Sequence, residues 1–162
     1  MNARDPQRDI QSGAAQGNKD LSHESPTPKV IDHVVKVSVL NLEYIRTTLA
    51  HLRYDTEDPF AIHVVFPHEK PANATPTEWV FARALFEEGL RVPTGGGAVC
   101  VCPDGLDWTL VELCGRQSVA VVQFESADLR RFLQHTYESV PAGREHHWLN
   151  LDRGLASLLK AA

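Results

Sequence analysis

Three short segments of this chain are apolar on both faces when written as β-strands, and this limits its possible folds more than any other feature. In residues 60–66, Ile62, Val64 and Phe66 share one face, Ala61 and Val65 the other, and His63 is the single polar residue. Segments 98–102 and 119–124 read the same way. An antiparallel sheet usually keeps one face in water, which makes its strands alternate between apolar and polar. Here both faces need cover. Short helices can shield one side; the other requires a second layer of sheet or a second copy of the chain. The strands therefore predict a homo-oligomer, without fixing its number.

The rest of the pattern is α+β and mostly antiparallel, with about three short helices. Between Val30 and Leu42, Ile31, Val35, Val37 and Val39 alternate with Asp32, Lys36 and Ser38, the period of a half-buried strand. Residues 49–54 form a short second strand, and Thr56-Glu57-Asp58-Pro59 is a turn. Residues 78–81 read as strand and 82–88 as a short helix, with Gly89 as its left-handed stop. Asp104-Gly105 closes the strand 98–102, and residues 114–117 join strands 108–113 and 119–124. Ser126 is placed to cap a helix whose Leu129, Phe132, Leu133 and Tyr137 line one face. After Pro141-Ala142-Gly143, Asp152 opens a terminal helix striped by Leu151, Leu155, Leu158 and Leu159.

Residues 1–28 contain no aromatic residue and are rich in small and polar ones, so they cannot bury enough apolar area to offset their conformational entropy. They read as a disordered tail, and residues 29–162 as one domain. Sixteen Lys and Arg against 21 Asp and Glu leave a net charge of -5, which speaks against a general attraction to phosphate backbones or anionic lipid. No apolar run approaches the roughly 18 residues a membrane span needs, nor does the polar start carry a signal-peptide core. A cytoplasmic protein is expected. Cys100, Cys102 and Cys114 are odd in number and sit in apolar contexts, which predicts buried free thiols.

Each constellation that could carry chemistry has a plainer reading. Gly95-Gly96-Gly97 precedes a strand, whereas a phosphate-binding loop needs Lys and a helix there. Cys100, Cys102 and Cys114 with His146 and His147 lack zinc-knuckle spacing. A Cys nucleophile with His51, His63 or His146 as base has no helix N-terminus or strained elbow to activate it. Asp55 and Asp58 fit a turn better than an acid–base pair. Arg83 lies between two alanines, so its stem crosses apolar surface and its head seeks a carboxylate, Asp55 or Glu87 being the candidates. His33 sits on the apolar face of its strand, a core or interface histidine. His146-His147-Trp148 suits docking or core packing better than stacking on a base. No catalytic, cofactor-binding or metal-ligating residue is assigned, no cofactor is expected, and the chain is not read as an enzyme.

Several pieces, taken in order, resemble the SsgA-like proteins of sporulating actinobacteria. They are Leu52-Arg53-Tyr54-Asp55, Asp58-Pro59-Phe60-Ala61 with His63, Glu78-Trp79-Val80-Phe81-Ala82-Arg83 with Leu85, and Glu88-Gly89-Leu90. Pro93-Thr94-Gly95 with Gly97, Val140-Pro141 with Gly143, Glu145-His146 and Leu151-Asp152 complete the pattern, which covers nearly all of residues 33–160. The chain departs from it in its longer tail, in Cys102 where an aromatic often stands, and in a shortened turn at 104–107.

The resemblance implies a non-enzymatic protein of septum formation during sporulation, placed at the division septum. It also implies partners such as the tubulin-like division protein FtsZ or another SsgA-like protein, and a bell-shaped homotrimer similar to whirly-type proteins. A whirly-like fold raises one alternative, single-stranded nucleic-acid binding, which needs a basic groove with interleaved aromatics. The net charge opposes it.

Overall fold

A computed structural model of the chain describes residues 27–40, 44–67, 76–116 and 118–149. Among them, seven strands and two α-helices run in the order β1 (Val30–Leu40), β2 (Ile45–Asp55), β3 (Ala61–Phe66), β4 (Thr77–Ala82), α1 (Arg83–Gly89), β5 (Val99–Asp104), β6 (Trp108–Cys114), β7 (Val119–Glu125), α2 (Ser126–Ser139). A single 3-10 turn, Glu145–His147, follows. The terminal helix expected after Asp152, and most of the tail expected at 1–28, lie outside the described residues.

All strands join one antiparallel sheet in the order β4-β3-β2-β1-β7-β6-β5. β1 is its spine, pairing with β2 from Val30↔Asp55 to Leu40↔Ile45 and with β7 over Val37–Leu40. β2 is therefore longer than the segment 49–54 that its own apolar residues marked. Arg46, Thr47 and Thr48 are polar yet extended, since the β1 partner supplies the ladder. In the β1–β2 and β6–β7 pairs, successive strands take the hairpin route that antiparallel pairing allows.

Period-two alternation decides which residues enter the core. Ile31, Val35 and Val37 of β1, Leu52 and Tyr54 of β2, and Ile62 and Val64 of β3 are all buried on one face. Val101, Val111, Val122 and Phe124 continue that face across the sheet. Helices α1 and α2 lie over it, with Phe86 of α1 and Leu129 and Phe132 of α2 fully buried. Phe86 meets Phe81 of β4 edge to face at 4.9 Å, a favoured aromatic geometry.

Two local expectations change. Gly89 is the last residue of α1, not a left-handed stop, and a Cβ there would collide with the Val101 side chain. Its role is close approach of α1 to β5. Ser126 does not cap α2: Glu125 stands at the cap without a side-chain bond, while the Ser126 hydroxyl is buried against that of Thr109 at 2.7 Å. By contrast, Gly105 takes the positive φ of 72° that the Asp104-Gly105 turn required.

Both described helices sit on one face of the sheet. On the other, Val34, Leu49 and Val80 are 55%, 50% and 51% exposed, and Val65, Leu40, Val121, Cys100 and Cys102 are half-buried. The segments that looked apolar on both faces thus have one covered face and one open one in the single chain. The three thiols lie on the open face, half-buried and free, and not in the core.

Candidate functional site

The most connected polar side chain is Arg83, at the junction of β4 and α1. It is only 2% exposed, so every N–H it buries must find an acceptor. One terminal nitrogen donates to the Tyr54 hydroxyl (3.2 Å) and to the carbonyls of Thr136 (3.3 Å) and Val140 (2.9 Å). The other donates to Glu145 at 2.6 Å, and the guanidinium lies 4.0 Å from the Tyr137 ring centroid. The carboxylate it was expected to seek exists, but it is Glu145. Glu87 accepts instead from the Tyr137 hydroxyl, and Asp55 accepts from the Glu57 N–H at 2.9 Å in the turn.

This network clasps four pieces of chain together: β2, α1, the end of α2 and the 3-10 turn. Burial pushes the Tyr54 phenol up to about 12, against the pull of Arg83. Burial and the bond to Glu87 push Tyr137 up to about 12. Neither phenol gives up its proton near neutral pH. Burial raises the Glu145 carboxyl, but bonds from the backbone N–H groups of Glu145 and Gly143 and from Arg83 outweigh it, leaving it below its ordinary value. A charged, buried, fully partnered cluster of this kind holds structure, and offers no free group to a substrate.

The remaining candidates do not converge. His33 packs edge-on against Phe132 of α2 and bonds His135 at 2.9 Å, between Nε2 and Nδ1, the interface role expected for it. Burial and the neighbouring His135 lower its pKa. His51 and Arg53 both bind Asp32, at 3.1 and 3.0 Å, and His63 binds Glu78 at 2.8 Å, so neither histidine is turned to a thiol. Cys114 donates to Glu112 at 3.4 Å, a bond that raises its pKa and keeps it protonated.

Gly95 takes a φ of 101° in a loop whose Thr94 bonds Val101 in both directions at 2.8 Å, and Gly96 and Gly97 meet open space. His146 and His147 stack 3.9 Å apart on the exposed turn, while Trp148 packs on the core. Among the described residues no three of His, Cys, Asp and Glu gather as a metal site would require.

What the fold offers instead are two apolar surfaces. The first is the open sheet face around Val34, Leu49 and Val80, laced by the Asp32 and Glu78 ion pairs. The second lies on the inner face beyond the helices. It is an open groove of about 520 Å³ walled mainly by apolar side chains, Val39, Phe66, Trp79, Leu113 and Val122 among them, with Arg46, Thr48 and Thr77 also lining it. Four strands separate β4 from β6, about 24 Å in a flat sheet at roughly 4.8 Å per step. Trp79 and Leu113 can share a groove because the sheet curls.

Only if the Trp79 indole were wholly core would its truncation cost about 3 kcal/mol or more. The indole is half-buried and forms the groove wall. The sequence did carry a signal: Trp79 and Phe81 share a face of β4, and the short helix that covers Phe81 is too small to cover both.

Comparison with known proteins gives a consistent result. The family model described as Streptomyces sporulation and cell division protein, SsgA, matches residues 48–145. The sporulation-specific cell division protein SsgB of Kineococcus radiotolerans is 41% identical over 115 residues, covering 68% of this chain and 67% of that protein. The SsgB of Streptomyces coelicolor is 41% identical over 113 residues, covering 68% and 80%. Among solved structures, an SsgA-like sporulation-specific cell division protein from Thermobifida fusca superposes with a TM-score of 0.69 at 31% identity, covering 82% of this chain and 96% of that one.

Proposed function

Because this chain belongs to the SsgA family of sporulation and cell division proteins, we propose that it is a non-enzymatic oligomeric adaptor that docks division proteins at the sporulation septum. The observation that carries the reading is the open sheet face. Val34, Leu49 and Val80 stand half or more exposed on it, an apolar surface suited to another protein and not to a small substrate. Arg83, Glu145, His51 and His63 are paired off for structure, which supports a role without catalysis.

In this reading the open face is buried between copies of the chain, three in a whirly-like trimer, and the assembled surface meets FtsZ or another SsgA-like protein. The division into a tail at 1–28 and a domain at 29–162 belongs to the same proposal, as does action in the cytoplasm. Among the described residues no helix is long and apolar enough to cross a membrane. The net charge of -5 and the carboxylates of Asp32, Glu78 and Glu112 on the open face disfavour a nucleic-acid strand there.

A fluorescent fusion produced in sporulating Streptomyces coelicolor tests the role directly. Ladders of signal at nascent septa, together with recovery of a division protein after crosslinking, are the expected result. Diffuse signal throughout sporulation with no division protein recovered would overturn the proposal.

A further inference from the structure

The curl of the sheet is filled at one end and empty at the other. At the filled end Phe86 of α1 and Phe132 of α2 are fully buried. At the other, a groove of about 520 Å³ is lined chiefly by apolar side chains, with Arg46, Thr48 and Thr77 also in its wall. The groove continues the core: Phe81 packs on Phe86 of α1, and Trp79, two residues earlier on the same face of β4, is already in the groove wall. Apolar walls joined to a core are most stable when an apolar body fills them.

The chain itself arrives close by with a body of that kind. Its last described residues are held at the filled end, where Arg83 bonds Val140 and Glu145 and where Trp148 packs on the core. From Arg83 back along β4 to Thr77 at the groove is about 20 Å, at roughly 3.3 Å per residue. Thirteen residues follow Leu149 in the sequence, and as a helix they span about 20 Å, at 1.5 Å per residue. Leu151, Leu155, Leu158 and Leu159 fall on one helical face. Residues 1–26 have no aromatic and no comparable stripe.

We propose that the groove is the seat of the chain's own segment 150–162, docked as an amphipathic helix with its leucines against Trp79, Phe66 and Val122. The groove is then a self-filled surface. A foreign helix could enter only by displacing this segment, and the open sheet face is left as the surface free for other copies. This inference stands apart from the division role and does not depend on it.

The test uses the full chain with Cys100, Cys102 and Cys114 replaced by Ser and Ala161→Cys carrying a nitroxide. Loss of the Trp79 indole N–H signal, with that of Trp108 on the opposite sheet face retained, is expected. A full-strength Trp79 signal would overturn the proposal. A mixture of isotope-labelled chain without nitroxide and unlabelled chain with it should leave Trp79 intact; loss in the mixture would mean that the segment comes from another copy and would also overturn it.

A second variant, Leu155→Glu with Leu158→Glu, leaves the cysteines alone. It is expected to shift the Trp79 indole signal and increase its quenching by acrylamide. An unchanged Trp79 would refute docking in the groove.

Discussion

At the scale of single residues, Arg83 decides most. Removing one partner of a buried ion pair typically costs about 3–5 kcal/mol, because the other charge is left in a dry site. Arg83→Met leaves Glu145 and the carbonyls of Thr136 and Val140 without their donor, so a loss at the lower end, about 3 kcal/mol, is expected in urea unfolding. The same pair sets an acid response. Glu145 titrates below its ordinary value of 4.5 in the fold, so the unfolded chain binds its proton first. Its contribution is complete above that value and fades as pH falls through the lower folded value. Thermal melts between pH 5 and 3 should show a shallower acid loss in Glu145→Gln than in the wild type. That Arg83 needed an acceptor was legible from its apolar neighbours. Which acceptor was not, because Glu145 lies 62 residues away in a stretch with no periodic pattern.

Among the elements, alternation in β1 and the 0, 3, 4 spacing in α2 placed buried side chains correctly, whereas β3, which looked apolar on both faces, fully buries only Ile62 and Val64. Those patterns record which side meets the core, and they fail where an element is held by its partner alone. β2 extends through Arg46 and Thr47 only because β1 is opposite them, and the role of Ser126 is set by Thr109 on another strand. Gly89 shows the same limit: a helix-ending glycine and a glycine pressed on a neighbouring strand look identical in sequence. In a helix, Gly→Ala gains roughly 0.5–1 kcal/mol where space allows. Against Val101 the added methyl overpacks, at a cost of about 1–3 kcal/mol. Gly89→Ala should therefore destabilise by about 1 kcal/mol net, read as a lower urea midpoint. A midpoint above wild type would mean that α1 moves freely on β5.

For the whole molecule, the two faces of the sheet predict two different failures from one kind of substitution. Val64 is 1% exposed on the inner face of β3, and an unpaired carboxylate there has no route to water. Val64→Asp should abolish the cooperative thermal transition. Val121 is half-buried on the open face beside Leu40 and Glu112, so Val121→Asp should keep the fold by circular dichroism and lose assembly. The doubly apolar strands made the need for cover legible, and the short helix after Trp79 hinted that the indole stood uncovered, but the opposite wall of the groove was hidden, since only the curl of the sheet brings β4 to β6. In the proposed assembly the open face is closed by other copies of the chain. Sedimentation equilibrium of the full chain beside Val34→Asp tests it most directly. The expected mass is a whole multiple of one chain, three in the proposed assembly, falling to that of one folded chain in Val34→Asp. A wild-type mass of one chain at high concentration would contradict it.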